Sequence, residues 1–329
     1  MASPGSTPPV DSPLAKPQST SSPLANLQGT PAAHHFPASL RLGPAVAASV
    51  RPLSASGSRA PDAVLSKPSG GGGKKSDESD VLSLDSIRRT LIQLEDTIIF
   101  NLLERSQFSY NPAAYDRNAS GIAGFNGSLI EYLIQGTEKL HAMVGRYKSP
   151  DEHPFFPEKL LEPVLPSVQY KNVLHHAAAS INVNKQIWDV YFDDLLPRLV
   201  GEGSDGNCGS SACCDATILQ ALSKRIHYGM FVAEAKFRES PDKYSAAIKA
   251  KDEDKLMEML TYKEVEESVK RRVRFKALTF GRVVGSDASP MADPPLKMEP
   301  DLVVELYDKW LMPLTKEVEV HYLLRRLDN

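Results

Sequence analysis

Six side chains bring a charge or a hydroxyl into stretches that are otherwise apolar. Arg88 stands four residues after Leu84 and three before Leu91, within the apolar stripe of one helical pattern, and Glu95 follows seven residues later on the same side. Arg225 and Lys236 are eleven residues apart, three helical turns, so on one helix they project the same way beside Gly229 and Val232. Thr315 and Glu319 are four apart and share a face with Leu311 and Tyr322. A charge buried without a partner is strongly unfavourable, so each of these groups needs a partner or a ligand. Two readings stand: internal ion pairs that tie helices together, or a polar pocket between the helices of a bundle. Three cations and at least one carboxylate suit a compact, multiply anionic small molecule. No nucleophile–base pair, metal cluster or dinucleotide loop accompanies them, so chemistry in such a pocket would proceed by positioning and electrostatics.

The elements that must position these groups read as helices. Leu84, Ile87, Leu91, Leu94, Ile98 and Leu102 recur at intervals of three and four, one face of a long helix. Ser128-Leu-Ile-Glu131 reads as a capping box opening a second helix toward Tyr147. Prolines at 150, 154, 157, 163 and 166 impose an irregular connection. Helical periodicity returns at about 184–200, 215–238, 243–260, 262–284 and 300–327. Strand-like alternation is scarce, so the pattern predicts an all-α, single-domain helical bundle. The Gly- and Ser-rich stretch Gly201–Cys214 reads as its main loop, with Cys208, Cys213 and Cys214 as reduced loop cysteines whose spacing fits no zinc site. Lys270, Arg271, Arg272 and Arg274 read as a solvated helix face.

Residues 1–68 differ in kind from the rest. They hold 12 of the 25 prolines, many Ser and Ala, and five basic residues against only Asp11 and Asp62. Such a stretch cannot bury enough apolar surface to offset its ordering entropy. Between a generic disordered arm and an organelle import peptide, the N-terminal position and scarcity of acids favour import. Residues 69–80, with Gly70 to Gly73 at their centre, read as a flexible linker, because Gly-Lys-Lys-Ser lacks the ending of a phosphate loop. The remaining 81–329 carry the folded domain. Its acidic balance argues against nucleic acid, and no apolar run is long enough for a transmembrane helix.

Four runs, Ser86–Asp96, Ser149–Pro157, Ser223–Phe237 and Pro313–Leu327, closely resemble segments of the eukaryotic, all-helical chorismate mutases, in order and over about 82–329. With the N-terminal leader, the resemblance points to the plastid plant form. It implies conversion of chorismate to prephenate by a pericyclic [3,3] shift, without cofactor, metal or covalent intermediate, in shikimate-pathway synthesis of phenylalanine and tyrosine. It further implies that Arg88 and Arg225 clamp the substrate carboxylates, a task that suits bidentate guanidinium geometry. Lys236 and a protonated Glu319 would donate to the ether oxygen, Glu266 would accept from the substrate hydroxyl, and Thr315 would line the pocket. Fungal members carry Asn near the position of Tyr262. An effector site for tryptophan, tyrosine and phenylalanine would involve Arg146, Asn207, Gly209 and Ser210 at a homodimer interface, with Gly145 where fungal members have a second arginine. Tryptophan is expected to activate, tyrosine and phenylalanine to inhibit, and the plastid stroma is the expected location.

Overall fold

The computed structural model describes residues 83–119, 121–166, 173–283 and 295–328. The expected import segment 1–68 and linker 69–80 lie outside the described residues. The rest is helical: among the described residues there is no strand, only an isolated antiparallel bridge between Arg282 and Leu296.

Helix α1 (Leu84–Arg105) is capped by Ser83, whose hydroxyl accepts from the Ser86 N–H at 3.2 Å. It buries Ile87, Leu94, Ile98, Ile99 and Leu102. Helix α2 (Leu129–Met143) opens on the expected capping box: Glu131 accepts from the Ser128 N–H at 2.7 Å while Ser128 caps the Glu131 N–H. It stops short of Tyr147. Gly145 takes φ 81, a left-handed turn that suits glycine, and a 3₁₀ turn, Arg146–Lys148, follows. After the proline-rich connection come α3 (Asn184–Val190), a π turn (Tyr191–Leu195) and α4 (Leu196–Leu199).

The expected 201–214 loop is shorter than its composition suggests. Helix α5 (Cys208–His227) begins at Cys208, so Gly209, Ser210 and all three free cysteines lie on a helix. Tertiary packing overrides weak helix formers here: Ser211 and Ala212 are completely buried, and the Ser211 hydroxyl accepts from Asn111 Nδ2 at 2.8 Å. Asp205 clasps the turn ahead of it, accepting from the Ser109 and Asn207 N–H groups and from Asn111 Nδ2. These donors, the Ser109 amide foremost, hold its carboxyl down at about 2.

The expected 215–238 helix breaks at Tyr228 into the end of α5 and α6 (Gly229–Glu239). The 243–260 pattern splits into α7 (Pro241–Ala250) and α8 (Glu253–Leu260), because Lys251 turns left-handed (φ 52) and Asp252 caps the next helix. Then follow α9 (Lys263–Phe280), α10 (Pro300–Leu306), a second π turn (Tyr307–Leu311) and α11 (Met312–Arg325). Both π turns close with an N–H to the carbonyl five residues back, Leu196 to Tyr191 and Met312 to Tyr307, immediately before Pro197 and Pro313. A proline has no N–H for the regular ladder and crowds the carbonyl four residues back, and the wider turn meets that demand. Helix α11 packs against α5, α6 and α8, placing its polar face at the centre of the bundle.

Candidate active site

All six side chains expected to act on substrate, Arg88, Arg225, Lys236, Glu266, Thr315 and Glu319, line one cavity of about 750 Å³. They arrive from five helices: α1, α5, α6, α9 and α11. Arg225 is buried at the end of α5, where the negative end of the helix dipole favours a cation. Its Nη1 lies 3.3 Å from Thr315 Oγ1, and its Nε has no partner among the described residues, so donors remain for a ligand. Thr315 directs its own hydroxyl proton to the Leu311 carbonyl at 2.6 Å, which leaves its oxygen as acceptor for Arg225.

Lys236 Nζ meets Glu319 Oε2 at 3.1 Å. Glu319 is buried, and burial pushes its carboxyl above the usual carboxylate range against the pull of Lys236 and Arg225. Gly229 makes this geometry possible. A Cβ there would stand 2.8 Å from the Thr315 carbonyl oxygen and 3.3 Å from Glu319 Cγ, so only glycine lets α6 approach α11 this closely. Glu266, half-buried in the first turn of α9, pairs with Lys316 at 3.0 Å.

Two expectations need correction. Arg88 is not buried in the stripe of α1: its side chain is 65% exposed and pairs with Asp85 at 2.8 Å. The first turns of α1 border the cavity mouth, where Leu84 and Leu91 are themselves only partly covered. Arg272 does not belong to a purely solvated face. It reaches back to α1 and holds the buried Glu95 with two bonds of 2.8 and 2.6 Å, assisted by Lys276 at 3.1 Å. For Glu95, the ion-pair reading therefore holds, although it too borders the cavity. Lys316 and Lys243 also line the cavity, and no pattern in the sequence marks them. Lys316 directly follows Thr315, a spacing that turns it off the shared face, and only the fold reveals Glu266 opposite it.

The expected effector residues do not converge within one chain. Arg146 is held by Glu152, His141 and Gln220. Gly209 and Ser210 lie exposed in the first turn of α5, and Gln220 is eleven residues beyond Gly209 on that helix, about 16 Å at the α-helical rise. Asn207 immediately precedes the helix, its N–H donated to Asp205 at 2.9 Å.

A family model described as chorismate mutase type II matches residues 208–320. Chorismate mutase 1, chloroplastic, of Zea mays is 63% identical over 253 residues, covering 77% of this chain and 81% of that protein. Crystal structures of AtCM1 with phenylalanine or tyrosine bound in the allosteric site share 60% identity and a TM-score of 0.70, covering 77% of this chain and 99% of theirs. The Aro7p chorismate mutase of Candida albicans, in complex with L-Trp, gives a TM-score of 0.72 at 39% identity, over 77% of this chain and 94% of its own. A cavity lined by cations and a buried acid, set in an all-helical bundle, thus coincides with high identity over nearly the whole described chain: it belongs to the chorismate mutase family.

Proposed function

We propose that the cavity rearranges chorismate to prephenate, and that aromatic amino acids regulate the rate. The observation that carries the reading is the pairing of Lys236 with the buried Glu319 at 3.1 Å, opposite the spare donors of Arg225. In the rearrangement a C–O bond breaks as a C–C bond forms, and negative charge develops on the ether oxygen. Arg225 and the exposed Arg88 at the mouth clamp the two carboxylates. Lys236 donates to the ether oxygen. Glu319 does the same when protonated: Oε2 faces Lys236, which leaves Oε1 to carry the proton toward substrate. Both donors are fixed before the charge appears, so little reorganisation accompanies the reaction. Glu266 accepts from the substrate hydroxyl, with Lys316 holding the carboxylate, and Thr315 orients Arg225.

The split effector residues fit a site shared by two copies, with Arg146 from one facing residues 207–210 of the other. Exposed Leu140, Val144, Val164 and Leu165 form an apolar surface near Arg146 that supports a homodimer. Residues 1–68 serve as plastid import segment, 69–80 as linker and 81–329 as the enzyme domain, which acts in the stroma. The chloroplastic designation of the maize relative supports that location. The test is loss of chorismate absorbance on adding pure protein lacking residues 1–68. No loss above the uncatalysed rate, with helicity shown by circular dichroism, refutes the reading. Tryptophan should raise the rate, tyrosine and phenylalanine should lower it, and Arg146→Ala should abolish all three responses.

A further inference from the structure

Tyr262 stands apart from the charged residues of the cavity. It precedes α9 with an extended backbone (φ −120, ψ 91), so its side chain follows no helical face. It contacts the site in three ways. Its ring lies over the Lys236 ammonium, 5.0 Å from Nζ to the ring centre. Its carbonyl accepts the Glu266 N–H at 3.0 Å. Its hydroxyl lies beside that of buried Tyr244, whose acidity burial and this neighbour both suppress. Yet the residue is 45% exposed, so burial of its own surface does not account for its placement.

We propose that Tyr262 is a positioning residue that holds the Lys236 ammonium in place when Glu319 carries its proton. The inference rests on the roles given above to Lys236 and Glu319. A lysine ammonium is a point charge on a flexible four-carbon stem, and something must fix it. With Glu319 ionised, the ion pair does so. Protonated Glu319, the form that donates to the ether oxygen, no longer supplies that negative charge. What then remains on Lys236 is a neutral acceptor, Glu319 Oε2, together with the negative face of the Tyr262 ring, which attracts a cation without neutralising it or accepting its protons. The ring also covers the Lys236 end of the Lys236–Glu319 pair and so limits the approach of water from that end.

The experiment compares Tyr262→Phe, Tyr262→Leu and Tyr262→Met in the full chain, measuring kcat, KM and the rate against pH with chorismate. Phe keeps the ring face and should hold kcat within about twofold of the parent. Leu and Met keep bulk without the π face and should lower kcat about fivefold, the rate equivalent of about 1 kcal/mol, with KM little changed. In both, the alkaline fall in activity should move to lower pH, because the ionised pair gains water and the protonated form loses the one contact on Lys236 that carries negative charge density independent of Glu319. A parental kcat and pH profile in Leu and Met overturns the proposal. So does equal damage in Phe, which would assign the role to the hydroxyl. Lys236→Ala, measured alongside, separates the two levels: if it retains the parental rate, the assigned mechanism fails before Tyr262 is in question.

Discussion

At the scale of single residues, the proton on Glu319 decides most. Its raised carboxyl must stay protonated to donate, so activity should be highest on the acid side and fall as pH rises through that raised value. Glu319→Gln keeps a donor at every pH. It should show a lower but flatter profile across the range in which the parent declines. Lys236→Ala removes a donor aimed at developing charge, and such deletions cost about 10²–10³ in rate; single-turnover measurements locate the loss in the chemical step. The six residues expected to touch substrate were legible in the sequence, chiefly through resemblance. Spacing alone showed only that charges fall on apolar faces. It could not tell the cavity cation Arg225 from Glu95, because the partner of each lies on another helix. Nor could it foresee that Arg88 sits at the mouth, since a stripe of leucines does not say where a helix outruns its packing. Buried Arg105 and Asp215, joined at 2.7 Å and bonded to Tyr115 and Tyr191, carry no signal in the spacing for the same reason.

Among the elements, the α6–α11 contact controls the site. Gly229→Ala forces a Cβ against the Thr315 carbonyl, a backbone atom that cannot swing away. Overpacking of this kind costs typically about 1–3 kcal/mol, so the melting temperature should fall, and activity should fall further because Thr315 and Glu319 are displaced together. A second contact couples elements to pH. His153, in the proline-rich connection, stacks on His227 of α5 with ring centres 4.1 Å apart. Burial pulls His153 down to about 4 and His227 to about 3. Both are therefore neutral in the native state, and their contribution, present above the ordinary value of about 6.5, is lost as pH falls through those depressed values. Thermal stability should decline on acidification, and His153→Phe, which keeps a stacked ring without a titrating group, should lessen that slope. The helices themselves were readable from periodicity, because three-and-four spacing survives in any buried face. Their ends were not. Lys251 and Tyr228 interrupt patterns that continue through them, and Cys208–Ser211 is helical for reasons of packing that composition conceals.

For the whole molecule, the arrangement separates the cavity from the proposed effector site. The cavity is completed by one chain's own residues, whereas the expected effector residues lie apart within it. Leu140→Asp, in the exposed apolar surface, should convert the proposed dimer to monomers in sedimentation analysis. Those monomers should still rearrange chorismate but no longer respond to amino acids. Retained regulation in the monomer would place the effector site within a single chain. The π turn at Tyr307–Leu311 sets a further condition on the whole. Such a turn holds one residue more than the α-helix it interrupts, so the segment before it and the segment after it are out of phase by about 100°. Its apolar half, Leu302, Val303 and Leu306, is thereby aimed independently of Thr315 and Glu319. Deleting exposed Lys309 would remove one surface pair, with Glu305, and leave helix content almost untouched, yet rewinding the turn would rotate the reactive acid away from its lysine. In this fold the length of the chain, counted to a single residue, is as much a part of the active site as any side chain within it.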